Sequence, residues 1–89
     1  MTNDAMAISQ HEICLPELGI DDQPILLSLW LVQSGSRVAQ GEQVVEVLVG
    51  AATVDLAAPA DGVLSETLAE EGDTLAVGQR LATIESHPT

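Results

Sequence analysis

Apolar residues occur along the chain in short runs that glycine interrupts about every ten positions. Runs rich in Val, Ile, Leu and Thr between turn residues are typical of strands in an all-β domain. A helix over residues 67–79 is the competing interpretation, but Gly72 and Gly78 would each cost about 1 kcal/mol inside it. We therefore predict six strands, over residues 12–15, 26–32, 43–49, 52–57, 63–68 and 80–85.

The two ends of the chain lack this pattern. Residues 1–11 scatter a few apolar positions among polar ones and are predicted to be a flexible leader, and residues 86–89 are predicted to be a tail. A chain of 89 residues is enough for one core and too short for two. Residues 12–85 are therefore predicted to form a single domain.

The two halves of the chain repeat one pattern of aliphatic residues and glycine. Each member of the first half lies 37 positions before its match: Leu31, Gly35, Val38, Gly41, Val44 and Val47 against Leu68, Gly72, Leu75, Gly78, Leu81 and Ile84. The segments 16–19 and 59–62 also match, but at an offset of 43. The first half therefore has an insertion at residues 20–25, where Asp21, Asp22 and Pro24 predict an exposed loop.

The three-residue spacing within each half fits neither the strand period of two nor the helix period of 3.6. Each glycine permits a turn with positive φ, and the hydrophobic residue between two such turns can anchor a corner of the chain to the core. Two similar β units predict an all-β fold with pseudo-twofold symmetry, either a two-sheet sandwich or a flattened barrel.

Composition excludes several classes of partner. The net charge is −12, both basic residues are arginine, no lysine occurs, and Trp30 is the one aromatic residue. Such a chain lacks the cations and stacking surfaces that bind nucleic acid, and its charge repels an anionic membrane. No apolar run approaches the roughly 18 residues of a membrane span, and no signal peptide is recognisable. We expect a cytoplasmic protein, and the single Cys14 fits a reducing compartment.

Candidate metal and catalytic clusters are weak. His11 and Cys14 supply two ligands where a structural zinc needs four, so we predict no metal. The acidic segments 21–22 and 70–73 lack the spaced oxygen ligands of a calcium loop and are interpreted as solvated turns. No serine stands in a Gly-x-Ser-x-Gly setting, which argues against a hydrolase. Trp30 is interpreted as a structural plug over the corner of the first half.

Five segments, in order, carry a family resemblance. Leu-Pro-Glu-Leu-Gly and Trp-Leu-Val-Gln-Ser-Gly resemble the Pro-x-Leu-Gly and Trp-x-Val-Lys-x-Gly-Asp segments of lipoyl domains from 2-oxo acid dehydrogenase complexes, whose close relatives are biotinyl domains. The resemblance implies a non-catalytic barrel-sandwich hybrid of two four-stranded antiparallel sheets with pseudo-twofold symmetry. The five segments are residues 15–19, 30–35, 38–42, 52–55 and 58–62.

The resemblance fails at the residue that carries the cofactor. Lipoyl domains attach lipoate to the lysine of an Asp-Lys-Ala hairpin, and here that hairpin reads Gly50-Ala51-Ala52, with Ala51 at the lysine position. An alanine methyl has no lone pair with which to attack an activated acyl group. A thioester at Cys14 would not be a stable carrier arm. We therefore predict no lipoate, no biotin and no other cofactor.

The altered hairpin suggests a different use of the fold. Leu48 and Val49 replace the usual Glu-Thr, so we expect an exposed apolar tip that contacts a protein partner. The leading hypothesis is an interaction or scaffold module that docks to a 2-oxo acid dehydrogenase or acyltransferase component through Leu48, Val49, Asp21 and Asp22. Two alternatives stay open: an engineered lysine-to-alanine variant of a genuine lipoyl carrier, and a membrane-fusion or efflux adaptor, although such adaptors usually separate the two halves by a long helical hairpin.

Overall fold

The computed structural model describes residues 8–20 and 22–86, in which all regular structure is β. No helix in these two ranges is long and apolar enough to span a membrane. The eight strands are β1 (Ser9–Cys14), β2 (Ile25–Trp30), β3 (Arg37–Val38), β4 (Gln43–Val49), β5 (Ala52–Ala57), β6 (Gly62–Thr67), β7 (Thr74–Leu75) and β8 (Arg80–Ser86).

The strands form two four-stranded antiparallel sheets. One has the order β1-β8-β6-β3 and contains both ends of the domain; we call it the terminal sheet. The other has the order β5-β4-β2-β7 and contains the β4–β5 hairpin; we call it the hairpin sheet. All pairings within both sheets are antiparallel, which confirms the predicted fold class.

The internal repeat corresponds to a pseudo-twofold axis between the sheets. Strands β2, β3 and β4 match β6, β7 and β8 at the predicted offset of 37 residues, and β1 matches β5 at an offset of 43. Exchanging these partners converts the strand order of one sheet into that of the other. A register shift between Leu27 and Leu29 recurs between Leu64 and Glu66. The insertion predicted at residues 20–25 lies at the end of the β1–β2 connection, but Ile25 is already the first residue of β2 and is buried, so the predicted exposed loop is one residue too long.

The core between the sheets is aliphatic, and no polar or charged residue in the described ranges is buried. In β4 and β8 the inward residues alternate with half-buried outward ones, as expected for sheets that are covered on one face. The largest side chains with almost no exposure are Leu15, Leu27, Leu64, Leu81, Ile84, Val44, Val45 and Val47.

The glycine spacing marks two equivalent corners, as predicted. Gly35 and Gly41 flank β3 with φ angles of 94° and 88°, and the glycines that flank β7 have nearly the same values. Between each pair one aliphatic side chain points inward, Val38 in β3 and Leu75 in β7. Residues 67–79 therefore contain two turns and a short strand, so the competing helical interpretation is wrong.

The structure differs from the prediction in two missed strands and in the ends of four others; β2 and β6 each begin one residue earlier than predicted and end two residues and one residue earlier, respectively. The two-residue strands β3 and β7 were missed because two residues cannot show a period. β1 begins at Ser9 rather than at residue 12, since the backbone of Ser9 pairs with Ser86 and an exposed edge strand needs no apolar pattern. Residues 9–11 therefore belong to the domain, and β8 extends by one residue into the predicted tail. The rest of the predicted leader and tail lies outside the described residues.

Trp30 is partly buried against the core, as predicted for a plug, but its hydrogen bonds lead to the corner of the second half and not to that of the first. Its indole packs against the core cluster while remaining partly exposed, and its Nε1 donates a hydrogen bond of 3.0 Å to the carbonyl oxygen of Ala69. Its backbone N–H donates to a carboxylate oxygen of Glu71 at 3.0 Å. The end of β2 is thereby tied to the segment that follows β6, across the pseudo-twofold axis.

Candidate functional site

The β4–β5 hairpin closes over two residues, Gly50 and Ala51, between the paired Val49 and Ala52. Gly50 has a φ of 61°, and no non-glycine residue in the described ranges has a positive φ. Positive φ at the first central position followed by negative φ at the second is the combination of a type II′ turn, which suits the twist of a hairpin. Ala51 thus occupies the second central position at the tip.

The inserted β1–β2 loop lies directly beside this tip. Ile25, the first residue of β2 after the loop, pairs with Val49 of β4. A Cβ added at Gly50 would collide with the side-chain carboxamide of Gln23, so this carboxamide covers the turn. Sequence reasoning missed Gln23, although the insertion that contains it was the one signal available. Hairpin tip and loop therefore form one surface.

The tip is less apolar than predicted. Ala51 and Ala52 are exposed and Leu48 is half-buried, but Val49 is only 4% exposed and belongs to the core. The prediction that Val49 offers a partner contact is wrong, because the alternation of β4 turns its side chain inward. Asp22 is exposed in the adjacent loop, whereas Asp21 lies outside the described residues.

The acidic segment 70–73 forms a hydrogen-bonded turn, as predicted. An oxygen of Asp73 accepts a 2.9 Å bond from the N–H of Glu70. The turns that follow the two short strands use an equivalent device: Glu42 accepts from the N–H of Ala39 after β3, and its symmetry equivalent, Gln79, accepts from the N–H of Ala76 after β7. A neutral amide can replace the carboxylate there, so the required property is acceptance of a hydrogen bond.

Within residues 8–20 and 22–86 no three His, Cys, Asp or Glu side chains form a metal-binding group.

Cys14 lies on the outer edge of the terminal sheet, opposite Arg80. The Arg80 guanidinium donates a 2.8 Å hydrogen bond to Glu12, and this bond together with the carboxylate charge raises the pKa of Arg80. Both side chains are largely solvated, at 62% and 45% exposure. This ion pair balances charge on the terminal sheet and shows no arrangement for catalysis.

Comparison with known proteins identifies the family. A family model described as biotin-requiring enzyme, covering biotin/lipoyl domains, matches residues 11–84. The chain therefore belongs to the biotin/lipoyl domain family.

Curated relatives share sequence with the same region. The chain is 40% identical over 73 residues to the dihydrolipoyllysine-residue succinyltransferase component of the 2-oxoglutarate dehydrogenase complex of Bacillus subtilis, which covers 82% of this chain and 18% of that protein. It is 32% identical over 81 residues to the lipoamide acyltransferase component of the branched-chain alpha-keto acid dehydrogenase complex of the same organism, covering 91% of the chain and 19% of the relative. The chain thus spans less than a fifth of the length of these relatives.

A solved structure confirms the fold. The lipoyl domain of the 2-oxoglutarate dehydrogenase complex from Azotobacter vinelandii superposes with a TM-score of 0.63 at 22% identity, over 90% of this chain and 98% of that domain. The matched region of the acyltransferase relatives is thus a small part of each protein, equal in extent to one domain of this fold.

Proposed function

We propose that this chain is an unmodified lipoyl-like domain, which carries neither lipoate nor biotin. The observation that supports the proposal is Ala51 in the hairpin turn, at the position where lipoyl domains present their lysine, in a sequence that contains no lysine. Attachment of either cofactor requires an amine that attacks an activated acyl group, and the methyl group of alanine cannot do so.

The proposed role is that of a non-catalytic interaction or scaffold module in a 2-oxo acid dehydrogenase-type or other biotin/lipoyl-dependent system. Its support is the kinship with components of such complexes and the single surface formed by the hairpin tip and the β1–β2 loop. The partner would be a dehydrogenase or acyltransferase component that contacts Leu48, Ala51 and Asp22. The proposal includes a cytoplasmic location and no nucleic-acid or membrane partner, in keeping with the charge of −12.

Intact-mass measurement tests the absence of modification. The chain is co-expressed with lipoyl and biotin ligases, alongside an Ala51→Lys variant and a related lipoyl domain as positive control. We expect the unsubstituted chain to keep the mass of its sequence while the control gains one lipoyl group. A gain of one cofactor mass by the unsubstituted chain would refute the proposal. Sequencing codon 51 of the natural gene distinguishes a naturally unmodified domain from an engineered lysine-to-alanine variant.

A charge placed at the tip tests docking. Ala52→Asp adds a carboxylate beside the turn, and Ser9→Asp adds one at the equivalent start of β1, at the opposite end of the domain. Binding to purified dehydrogenase and acyltransferase components is measured for both variants. We expect Ala52→Asp to weaken binding several-fold and Ser9→Asp to leave it unchanged. Because both variants add the same net charge, a difference between them reports the position of the charge. Equal effects of the two variants, or no binding by the unsubstituted chain, would contradict docking through the tip.

A further inference from the structure

The pseudo-twofold axis makes the outer faces of the two sheets comparable position by position. On the hairpin sheet the outward rows are Thr53-Leu48-Leu26-Thr74 and Asp55-Glu46-Leu29. The equivalent rows of the terminal sheet are Gln10-Glu85-Val63-Arg37 and Glu12-Thr83-Glu66. We call the first set the hairpin face and the second set the terminal face. Each face is thus an internal control for what the fold requires of the other.

Three leucines distinguish the hairpin face. Leu26 and Leu48 are half-buried and paired across neighbouring strands, and Leu29 is 44% exposed opposite Glu46. The terminal face has glutamate at two of the three equivalent positions. The fold therefore accepts a carboxylate at the positions equivalent to Leu29 and Leu48, so packing does not require leucine there, whereas the equivalent of Leu26 is the apolar Val63. The exposed Leu31 and Leu68 occupy equivalent positions in the two halves, so they do not distinguish one side of the domain from the other.

The charges of the two faces differ as well. On the hairpin face Glu46 lies directly opposite Asp55, a like-charge pair that is unfavourable across strands. The terminal face replaces this pair by Thr83 and Glu12, and Glu12 is bound by Arg80. Arg37 also lies on the terminal face, so both arginines of the chain are on that side. In the described part of the chain the hairpin face has no cation, and Glu46 accepts a hydrogen bond only from Ser28.

We propose that the hairpin face docks a protein segment whose apolar side chains are flanked by lysine or arginine. Leucines beside an unneutralised carboxylate pair match the apolar centre and charged rim of a protein interface, and a basic partner would relieve the repulsion between Glu46 and Asp55. A second copy of this chain fits poorly because it would bring the same carboxylates together. This inference rests on the proposed interaction role and adds a surface beyond the hairpin tip.

Three synthetic peptides of equal length test the chemistry of the partner: alternating leucine and arginine, leucine and glutamate, and serine and arginine. Each is titrated at 0.15 M NaCl into the isotopically labelled full chain while amide chemical shifts are recorded. We expect the leucine–arginine peptide to shift residues of β2, β4 and β5 and to bind at least about tenfold more tightly than the other two. Equal binding of the serine–arginine peptide, or shifts centred on the terminal sheet, would overturn the proposal.

Two matched variants add one charge each at equivalent positions. Leu26→Glu places the added charge on the hairpin face, and Val63→Glu places it on the terminal face. Both variants therefore increase the long-range attraction of a basic peptide by the same amount. We expect an affinity loss of about tenfold for Leu26→Glu and less than twofold for Val63→Glu. Leu29→Glu, at an exposed position, repeats the test if Leu26→Glu unfolds the domain.

The outcomes separate this inference from the proposed function. Equal losses of peptide affinity in Leu26→Glu and Val63→Glu would refute docking on the hairpin face. The absence of a cofactor is tested separately, by the intact mass of the chain. Sedimentation of the chain without peptide detects a second copy, because self-association that Leu29→Glu abolishes would assign the face to a dimer and overturn the proposal.

Discussion

Gly50 at the hairpin tip is constrained both by its backbone angle φ and by the loop beside it. Gly50 has a positive φ, and the Gln23 carboxamide occupies the space that a side chain at Gly50 would take. Gly41 has a similar φ, but a Cβ added there would meet nothing within 4 Å. The two glycines therefore share the same conformational requirement and differ in their neighbour.

Replacement of each glycine by alanine separates the two effects. Both Gly50→Ala and Gly41→Ala should lower the free energy of unfolding by about 1 kcal/mol, since an L-residue is strained at positive φ. Gln23 is flexible and can rotate away, so urea unfolding should give similar losses for both variants. The side-chain amide signals of Gln23 should shift only in Gly50→Ala. Unchanged Gln23 signals in that variant would contradict the contact.

At the scale of the element, β7 is too short to be held by its ladder alone. It forms two residue pairs with β2, and its inward Leu75 is 6% exposed. The corner is therefore anchored by the burial of Leu75 together with backbone hydrogen bonds on either side of β7, from the N–H of Gly72 to the carbonyl of Leu27 and from the N–H of Gly78 to the carbonyl of Leu15. The equivalent corner at Val38 is held in the same way. This anchoring explains why a glycine spacing that fits no regular period still predicts structure.

Truncation at this corner should therefore be costly. We expect Leu75→Ala to lower the free energy of unfolding by about 2 to 4 kcal/mol through lost burial and the resulting cavity. Val77→Ala, two residues further on and 51% exposed, should change it by less than about 0.5 kcal/mol. Urea denaturation followed by Trp30 fluorescence measures both variants, and equal losses would mean that Leu75 does not anchor the corner.

At the scale of the whole molecule, charge is unevenly distributed. The net charge is −12, while both arginines lie on the terminal sheet. Repulsion among carboxylates destabilises the compact state, and the Glu46–Asp55 pair of the hairpin sheet has no arginine on its own sheet to offset it. The two sheets thus differ in the placement of cations although the backbone is nearly symmetric.

Salt should consequently stabilise the domain. Raising NaCl from 0.01 to 0.1 M shortens the screening length from about 30 Å to about 10 Å and weakens the repulsion. The melting temperature should rise over this range. Asp55→Asn removes one member of the Glu46–Asp55 pair, so the melting temperature of this variant should start higher and rise less steeply with salt. A melting temperature that falls with salt would show that favourable ion pairs outweigh the repulsion.

The fold was largely predictable because it follows from local pattern. The bounds of β4 and β5 agree with the prediction, and the repeat predicted the symmetry before any strand pairing was known. Of the candidate site, the place of Ala51 was recognisable from the neighbouring motifs. The inward direction of Val49 and the contact of Gln23 with Gly50 were not, since both depend on which strands become neighbours.

The sequence by itself determined the all-β class, the two equivalent halves and the lack of any lysine, because composition and spacing are properties of the chain alone. The tertiary structure decided which side chains share a face. Strand alternation and register turned Val49 into the core, placed Leu26, Leu29 and Leu48 together, and set both arginines on the opposite sheet. Residues far apart in the chain become neighbours only through sheet pairing, and that pairing is fixed by burial of the whole core.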